Sequence, residues 1–298
     1  MKPLRPWRIA DRWSVAGAVA ALLAGGVVPL AQFATSGKLL KNIGADIFTG
    51  PHKLSIDPQG NLWVADNGGA QVFKLNQNGQ VLLTLGKKNQ RGTAEGLFDT
   101  PTDVAVAANG DAFVADGHDG GGSATGIARI VKFDNAGRFL KAWGRKGMGP
   151  GEFDVVHAMA IDSRGRVFVA DRQNSRLQIF DAEGTFVAQW HQFGRPSGIY
   201  IDRRDDRIYV SDSESRDART NTGRNALSAA TGYGFNLGVR RGVRIGSARD
   251  GSVKAFIPDP CPYPYAFFSS MGEGVTADFD GNVYTAEFAR RIQTFVVR

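Results

Sequence analysis

One motif occurs five times along this 298-residue chain, and the spacing inside it hardly varies. It begins HKLSIDPQGNLWVAD at His52, TDVAVAANGDAFVAD at Thr102, HAMAIDSRGRVFVAD at His157, SGIYIDRRDDRIYVSD at Ser197 and EGVTADFDGNVYTAE at Glu273. Eight positions after the first residue stands a turn residue: Gly60, Gly110, Gly165, Asp205 or Gly281. Fourteen positions after it stands an acid, Asp66, Asp116, Asp171 or Glu287, and the fourth repeat needs fifteen to reach Asp212. Apolar and polar residues alternate up to the turn, and a β-rich run follows it. Each motif is therefore expected to form an antiparallel hairpin.

A second hairpin follows in three repeats: QVFKLNQNGQVLLTLG from Gln71, RIVKFDNAGRFLKAWG from Arg129 and RLQIFDAEGTFVAQWH from Arg176. A recurring unit of four strands cannot bury its own apolar faces. Stacked around an axis, such units form the blades of a β-propeller. The 38 glycines suit many short strands joined by tight turns. The expected fold is all-β, with five evident blades and room for a sixth only in the long fourth unit. That unit carries a Gly/Asn/Arg-rich insertion over residues 215–238, expected as a surface loop. The last repeat stops after three strands. Residues 37–48 (GKLLKNIGADIF) resemble GRFLKAWGRKGM in register, so this N-terminal strand is expected to complete the last blade and close the ring.

Residues 1–36 have another character. A basic stretch with Lys2, Arg5, Arg8 and Arg12 precedes an apolar run over residues 14–34, and Ala34-Thr35-Ser36 offers a small-x-small site. A cleaved leader, an uncleaved anchor and a buried helix all fit this pattern. The leader or anchor gives a two-part plan: residues 1–36 as the targeting segment and residues 37–298 as one propeller. The protein would then be periplasmic or secreted, touching membrane only through that segment. Much of the net charge of +7 sits in the segment. No Lys/Arg cluster interleaved with aromatics occurs elsewhere, which argues against nucleic acid as a partner. Cys261 is the only cysteine, so no disulfide forms within the chain.

The inner strand of every blade lines the central channel, so equivalent positions fall on one ring. The first position reads His52, Thr102, His157, Ser197 and Glu273. Residues just beyond the acidic end of the second strand, including His118 and Arg172, return to the same mouth. Two imidazoles and a carboxylate with a fourth position open suit catalytic zinc, which makes His52, His157 and Glu273 candidate ligands. Polar residues at a channel mouth also serve merely to meet water. Arg172 is either a bidentate clamp for a ligand carboxylate or a structural partner of Asp171 or Glu152. His118, in the Gly-rich run GHDGGGSATG, is either a proton-transfer group or a plain loop residue. The recurring acids read as structural acceptors of turn hydrogen bonds. His191 reads as structural at the rim, and Met271 as packing at the mouth.

The repeats PHKLSIDPQGNLWVAD, PTDVAVAANGDAFVADG, HAMAIDSRGRVFVADRQNSRLQIF and GEGVTADFDGNVYTAE, with GRFLKAWG and GPGEF between them, resemble NHL-repeat propellers. Within these they are similar to the peptidyl-α-hydroxyglycine α-amidating lyases over roughly residues 50–295. The resemblance implies a six-bladed propeller with zinc on three histidines, cleaving a peptidyl-α-hydroxyglycine to a peptide amide and glyoxylate. It places His52 and His157 on two zinc histidines, Arg172 on a substrate-contacting arginine and Met271 on an active-site methionine. Departures accompany it. Glu273 stands for the third zinc histidine, and Gly274 for an aspartate linked to structural calcium, so calcium is doubtful. His118 stands for the catalytic tyrosine. The family's first blade, with another arginine, has no counterpart over residues 37–50.

The functional expectation is an exported, divergent lyase-like propeller. A divalent metal would sit on His52, His157 and Glu273, Arg172 would hold a carboxylate of a small-molecule or peptide substrate, and His118 would move a proton. The rival is a non-catalytic propeller that binds a protein or small ligand at the mouth or through the insertion, because fold alone does not choose between these.

Overall fold

The computed structural model describes residues 30–34, 38–44, 46–118, 126–215, 236, 238–259, 272–286 and 292–296, and these form strands and turns without helix. Two short strands open the order, β1 (Leu30–Phe33) and β2 (Leu39–Ile43). The first blade is β3 (Pro51–Ile56), β4 (Leu62–Asp66), β5 (Gln71–Leu75) and β6 (Val81–Gly86). The second is β7 (Pro101–Val106), β8 (Ala112–Asp116), β9 (Arg129–Phe133) and β10 (Phe139–Trp143). A parallel pair, β11 (Arg145–Lys146) and β12 (Glu152–Phe153), leads to the third blade: β13 (Val156–Ile161), β14 (Val167–Asp171), β15 (Arg176–Phe180) and β16 (Phe186–Trp190). The fourth comprises β17 (Gly198–Asp202), β18 (Arg207–Asp212), β19 (Gly242–Ser247) and β20 (Val253–Pro258). The fifth has three strands, β21 (Gly274–Ala277), β22 (Val283–Ala286) and β23 (Ile292–Phe295). Every blade is an antiparallel meander in chain order, and together they make a five-bladed propeller.

The hairpin turns follow the expected register. Gly60, Gly110, Gly165 and Gly281 all take positive φ, between 80° and 91°. In the fourth blade the left-handed residue is Asp206, at φ 60°, one position beyond the Asp205 expected from alignment. That shift absorbs the extra residue of the fourth repeat. An aspartate at the end of the inner strand caps several of these turns. Asp57 accepts the N–H groups of Gln59 and Asn61, and Asp162 those of Arg164 and Arg166. Such Asx turns let the side chain replace a backbone acceptor.

The core consists of layers between neighbouring blades. Trp63, Leu85, Val104, Val114 and Phe133 fill the space between the first two. Phe113, Ile130, Met159, Val169 and Phe180 fill the next, and Phe168, Ile179, Ile199 and Val210 the one after. Tyr209, Val243, Val275 and Val283 join the fourth blade to the fifth. Each blade's apolar face is buried only because its neighbour is present, as repeat architectures require.

The N-terminal strand expected on the last blade pairs elsewhere among the described residues. Leu39–Ile43 is hydrogen-bonded to Leu30–Phe33, while β23 pairs with β22. The β1–β2 hairpin packs on the first blade, where Leu30 and Ile43 join Leu62, Val64 and Phe73. Leu30 and Ala31 are buried there, so the paired strands lie on either side of the domain boundary expected at Ser36. The rest of residues 1–36, expected as a targeting segment, and most of the 215–238 insertion lie outside the described residues.

Polar bonds at one end of the inner strands reinforce the apolar layers. Thr102 Oγ1 donates to the Val156 carbonyl of the next blade at 2.6 Å, fully buried. Thr102→Val keeps the shape and deletes this bond. It should lower the unfolding free energy by about 1–2 kcal/mol, read as a reduced urea midpoint at unchanged m-value.

Candidate functional site

Backbone irregularity aims the mouth residues. The ladder between β3 and β4 slips between Pro51 and Lys53, which leaves His52 as the extra residue of a bulge. The same slip brackets Thr102 and His157 in the second and third blades. Bulges re-aim side chains and leave a strand position unpaired. The strand-end acids fix the segments that lead into these bulges. Asp66 accepts the N–H groups of Thr49 and Gly50, Asp116 those of Asp99 and Thr100, and Asp171 that of Asp154. Val155, beside His157, is a β-branched residue at φ 60°, an arrangement that costs on the order of 1–3 kcal/mol. Its carbonyl accepts the Arg172 N–H at 3.1 Å, so one strained residue sets both His157 and Arg172.

Three histidines converge at the mouth. His52, His118 and His157 each offer a ring nitrogen, and these nitrogens lie within 4.8 Å of one another. Ring centroids are 4.9 Å apart for His52 with His118 and with His157, and 5.1 Å for His118 with His157. His118 comes from the run after β8, and Thr100 holds its backbone. Its N–H donates to Thr100 Oγ1 at 2.8 Å, and the preceding Gly117 sits at φ 135°, where a Cβ would meet the Ile127 carbonyl at 2.3 Å. A side chain at 117 would break that approach.

The tautomers follow from the partners. His52 Nδ1 bonds the Thr102 carbonyl at 2.9 Å, and His157 Nδ1 bonds the Ser197 carbonyl at 2.6 Å. A carbonyl only accepts, so both Nδ1 atoms carry the proton and both Nε2 lone pairs are bare. His157 Nε2 is buried with no protein partner. Burial drives the His52 pKa down to about 3, helped by repulsion from His118, Arg172 and Lys53 and opposed by the Thr102 carbonyl. His157 is held well below its ordinary value, again by burial first, with Arg172, His52 and His118 adding repulsion. Neutral, oriented imidazoles with bare nitrogens are what a metal ion requires, and the outward Nδ1–H bonds are the usual outer support of such ligands.

Arg172 lies against this triangle, 2% exposed. Its Nη1 is 3.4 Å from Glu214 Oε1 and 3.5 Å from Glu273 Oε1. Asp171 and Glu152, the structural partners considered for it, belong instead to Arg176 and Arg145, each at 2.7 Å. His118, expected as a proton-transfer group, takes the place beside the two imidazoles that register gave to Glu273. His118 joins His52 and His157, while Glu273 faces the guanidinium and falls outside the imidazole group. Burial pushes the Glu273 carboxyl up, and nearby Glu214 adds to this, whereas Arg172 and Lys53 pull it down. Met271 lies outside the described residues. His191 is exposed, away from the triangle.

Sequence reasoning missed three members of the site. Glu214 bridges Arg172 to Arg195, with Oε2 at 2.9 Å from Arg195 Nε. Arg195 also bonds the Arg172 carbonyl at 3.2 Å. Lys53 pairs with the fully buried Asp103 at 3.0 Å, and Asp103 accepts the Met159 N–H at 2.7 Å, which ties three blades together one step below the ring. The available signal for Glu214 was its position two residues past Asp212, on the same return to the mouth as Arg172.

The NHL repeat pattern matches residues 48–75 and 153–180, the stretches that hold His52 and His157. The chain is 40% identical over 171 residues to peptidyl-glycine alpha-amidating monooxygenase A of Xenopus laevis, 54% of this chain and 18% of that protein. It is 40% identical over 149 residues to a probable peptidyl-alpha-hydroxyglycine alpha-amidating lyase of Caenorhabditis elegans, 49% of this chain and 41% of the other. These matches therefore span less than half the length of either relative. Among solved structures, a gluconolactonase from Xanthomonas campestris superposes with a TM-score of 0.60 at 15% identity, covering 92% of this chain and 80% of that one. A streptogramin B lyase gives 0.52 at 14% identity, covering 95% and 84%. At such identities these structures bear on the fold alone.

The buried imidazoles make stability depend on pH. Between the ordinary histidine value of 6.5 and the value of about 3 at His52, the unfolded chain binds a proton that the native state refuses. Stability of the metal-free protein should therefore fall as pH drops through that window. His52→Gln, which cannot titrate, should flatten the decline in a series of denaturant midpoints between about pH 7 and pH 4.

Proposed function

We propose that this chain, an NHL-repeat β-propeller resembling the peptidyl-α-hydroxyglycine α-amidating lyases, is a metal-dependent carbon–nitrogen lyase acting on α-hydroxy-N-acyl amino acids. The observation that carries the reading is the convergence of three imidazoles, with the His52 and His157 Nδ1 protons turned outward onto backbone carbonyls. His52, His118 and His157 would hold the ion. Three nitrogen donors with room for a fourth ligand at an open mouth favour zinc. Glu273, the third ligand expected from register, is replaced in that role by His118.

When bound, the ion supplies a Lewis acid for the substrate's hydroxyl oxygen. The protein's own groups do the remaining work. The channel wall keeps His52 and His157 neutral at physiological pH, so neither competes for the substrate as an acid. Arg172, behind the triangle, supplies the cation for the carboxylate that an α-hydroxyglycine carries next to its hydroxyl. With hydroxyl and carboxylate both fixed, the carbon between them is oriented for cleavage of its bond to nitrogen. The hydroxyl proton departs, the C–O bond becomes a carbonyl and the C–N bond breaks. The nitrogen takes a proton, giving an amide and glyoxylate. The lyase name of the Caenorhabditis elegans relative supports this reaction class.

Purified protein supplied with zinc should retain about one equivalent per chain and release glyoxylate from a benzoyl-capped α-hydroxyglycine. His157→Ala should lose the metal and the activity together, and chelation of the wild type should abolish turnover reversibly. A fully folded wild-type protein that takes up no metal would overturn the lyase reading and leave a binding propeller.

A further inference from the structure

Arg172 is a buried cation of the site, and two carboxylates already face it. Both Glu214 Oε1 and Glu273 Oε1 face the same guanidinium nitrogen, at 3.4 and 3.5 Å. With Arg195 included, two guanidiniums and two carboxylates balance. In the metal-free site a ligand carboxylate arriving at Arg172 would be the third anion against two guanidiniums, and like charges at that range cost heavily in a partly desolvated cluster. Either the ligand is not an anion, or one glutamate leaves.

The two glutamates are not held alike. Glu214 is anchored at both oxygens, since Oε2 lies 2.9 Å from Arg195 Nε, and its side chain is 17% exposed. Glu273 has its ion pair to Arg172 at 3.5 Å, and its side chain is 35% exposed. Its backbone is fixed. The carbonyl accepts Ser211 Oγ at 3.4 Å, and Gly198 packs so closely that a Cβ there would come within 2.6 Å of that oxygen. So the main chain of Glu273 stays while its carboxylate, on the solvent side of Arg172, is the group able to turn away.

We propose that Glu273 is a gate carboxylate: it caps Arg172 in the empty site and is displaced by the carboxylate of the incoming ligand, so that it sets the charge of what the site accepts. The gate rests on the reading of Arg172 as the carboxylate holder. In that reading Glu273 is a specificity-determining residue which weakens every anionic ligand by its own competition and leaves neutral ligands untouched. An isosteric neutral side chain would keep the shape and remove the competitor.

The test compares glycolate with its neutral amide, glycolamide, by calorimetric titration of zinc-supplied wild-type and Glu273→Gln protein, with zinc content measured on both. The gate predicts that Glu273→Gln binds glycolate about tenfold more tightly while glycolamide is unchanged. A merely structural role would move both ligands together. Glycolate bound no more tightly by Glu273→Gln, or equal changes for both ligands, overturns the gate. Zinc content reports separately on the imidazole site: zinc retained without the glycolate effect sinks the gate alone. Zinc absent from both proteins sinks the metal reading, whereas selective tightening without zinc still upholds the gate.

Discussion

A single kind of bond recurs around the mouth of this propeller, from the start of one inner strand to the next blade. His52 Nδ1 reaches the Thr102 carbonyl, Thr102 Oγ1 the Val156 carbonyl, and His157 Nδ1 the Ser197 carbonyl. Ser211 Oγ then reaches the Glu273 carbonyl. Apolar layers press the blades together but are non-directional, and they tolerate sliding. These directional bonds fix the rotation of each blade against the next where side chains must meet. Because two of the donors are imidazoles, the same bonds also decide which ring nitrogen faces the channel. Assembly of the ring and orientation of the three-histidine group are one event, not two.

The bulges make that possible. In a regular ladder, His52 and His157 would occupy paired positions, each committed to one face of its blade. In the first three blades the slipped register frees one residue of the inner strand to face the axis, and the strand-end acids hold the entering segments in place by accepting their N–H groups. The acids are buried, as at Asp116 and Asp212, and burial raises their pKa values; the bonds they accept and the arginines beside them oppose the rise. Such carboxylates are expensive to bury unless satisfied, and each is satisfied by backbone groups that have to be ordered anyway.

Much of the fold was legible because rotation about an axis turns equal register into equal position. Of the five starts, His52, Thr102 and His157 are the second residues of their inner strands, and Ser197 and Glu273 immediately precede theirs. Register says which residues share a ring. It does not say where each side chain turns, and there the expectation for Glu273 and His118 diverged from the structure. A buried guanidinium demands counter-charge, so Arg172 draws Glu273 aside. His118 lies outside the inner strand and entered the triangle through Gly117, whose left-handed backbone lets the chain cross close to Ile127. Glu214 was harder to read, since its partner Arg172 comes from another blade and Arg195 from the segment that enters its own. The pairing of Leu39–Ile43 with Leu30–Phe33 was missed because a likeness in side-chain order reports a strand's pattern and not its partner.

The electrostatics of the mouth then divide into two zones that work only as neighbours. His52 and His157 are neutral because the channel wall desolvates them and because Arg172 repels any proton added to either. Arg172 in turn is tolerable at 2% exposure only because Glu214 and Glu273 offset its charge. Removing both carboxylates would leave an unpaired buried cation, which would either drag in an anion or disrupt Val155 and the strained turn that holds His157. The charge of the arginine, the neutrality of the histidines and the identity of the ligand are therefore one coupled quantity. Glu273, the least anchored member and the most open to solvent, is where that coupling meets the outside.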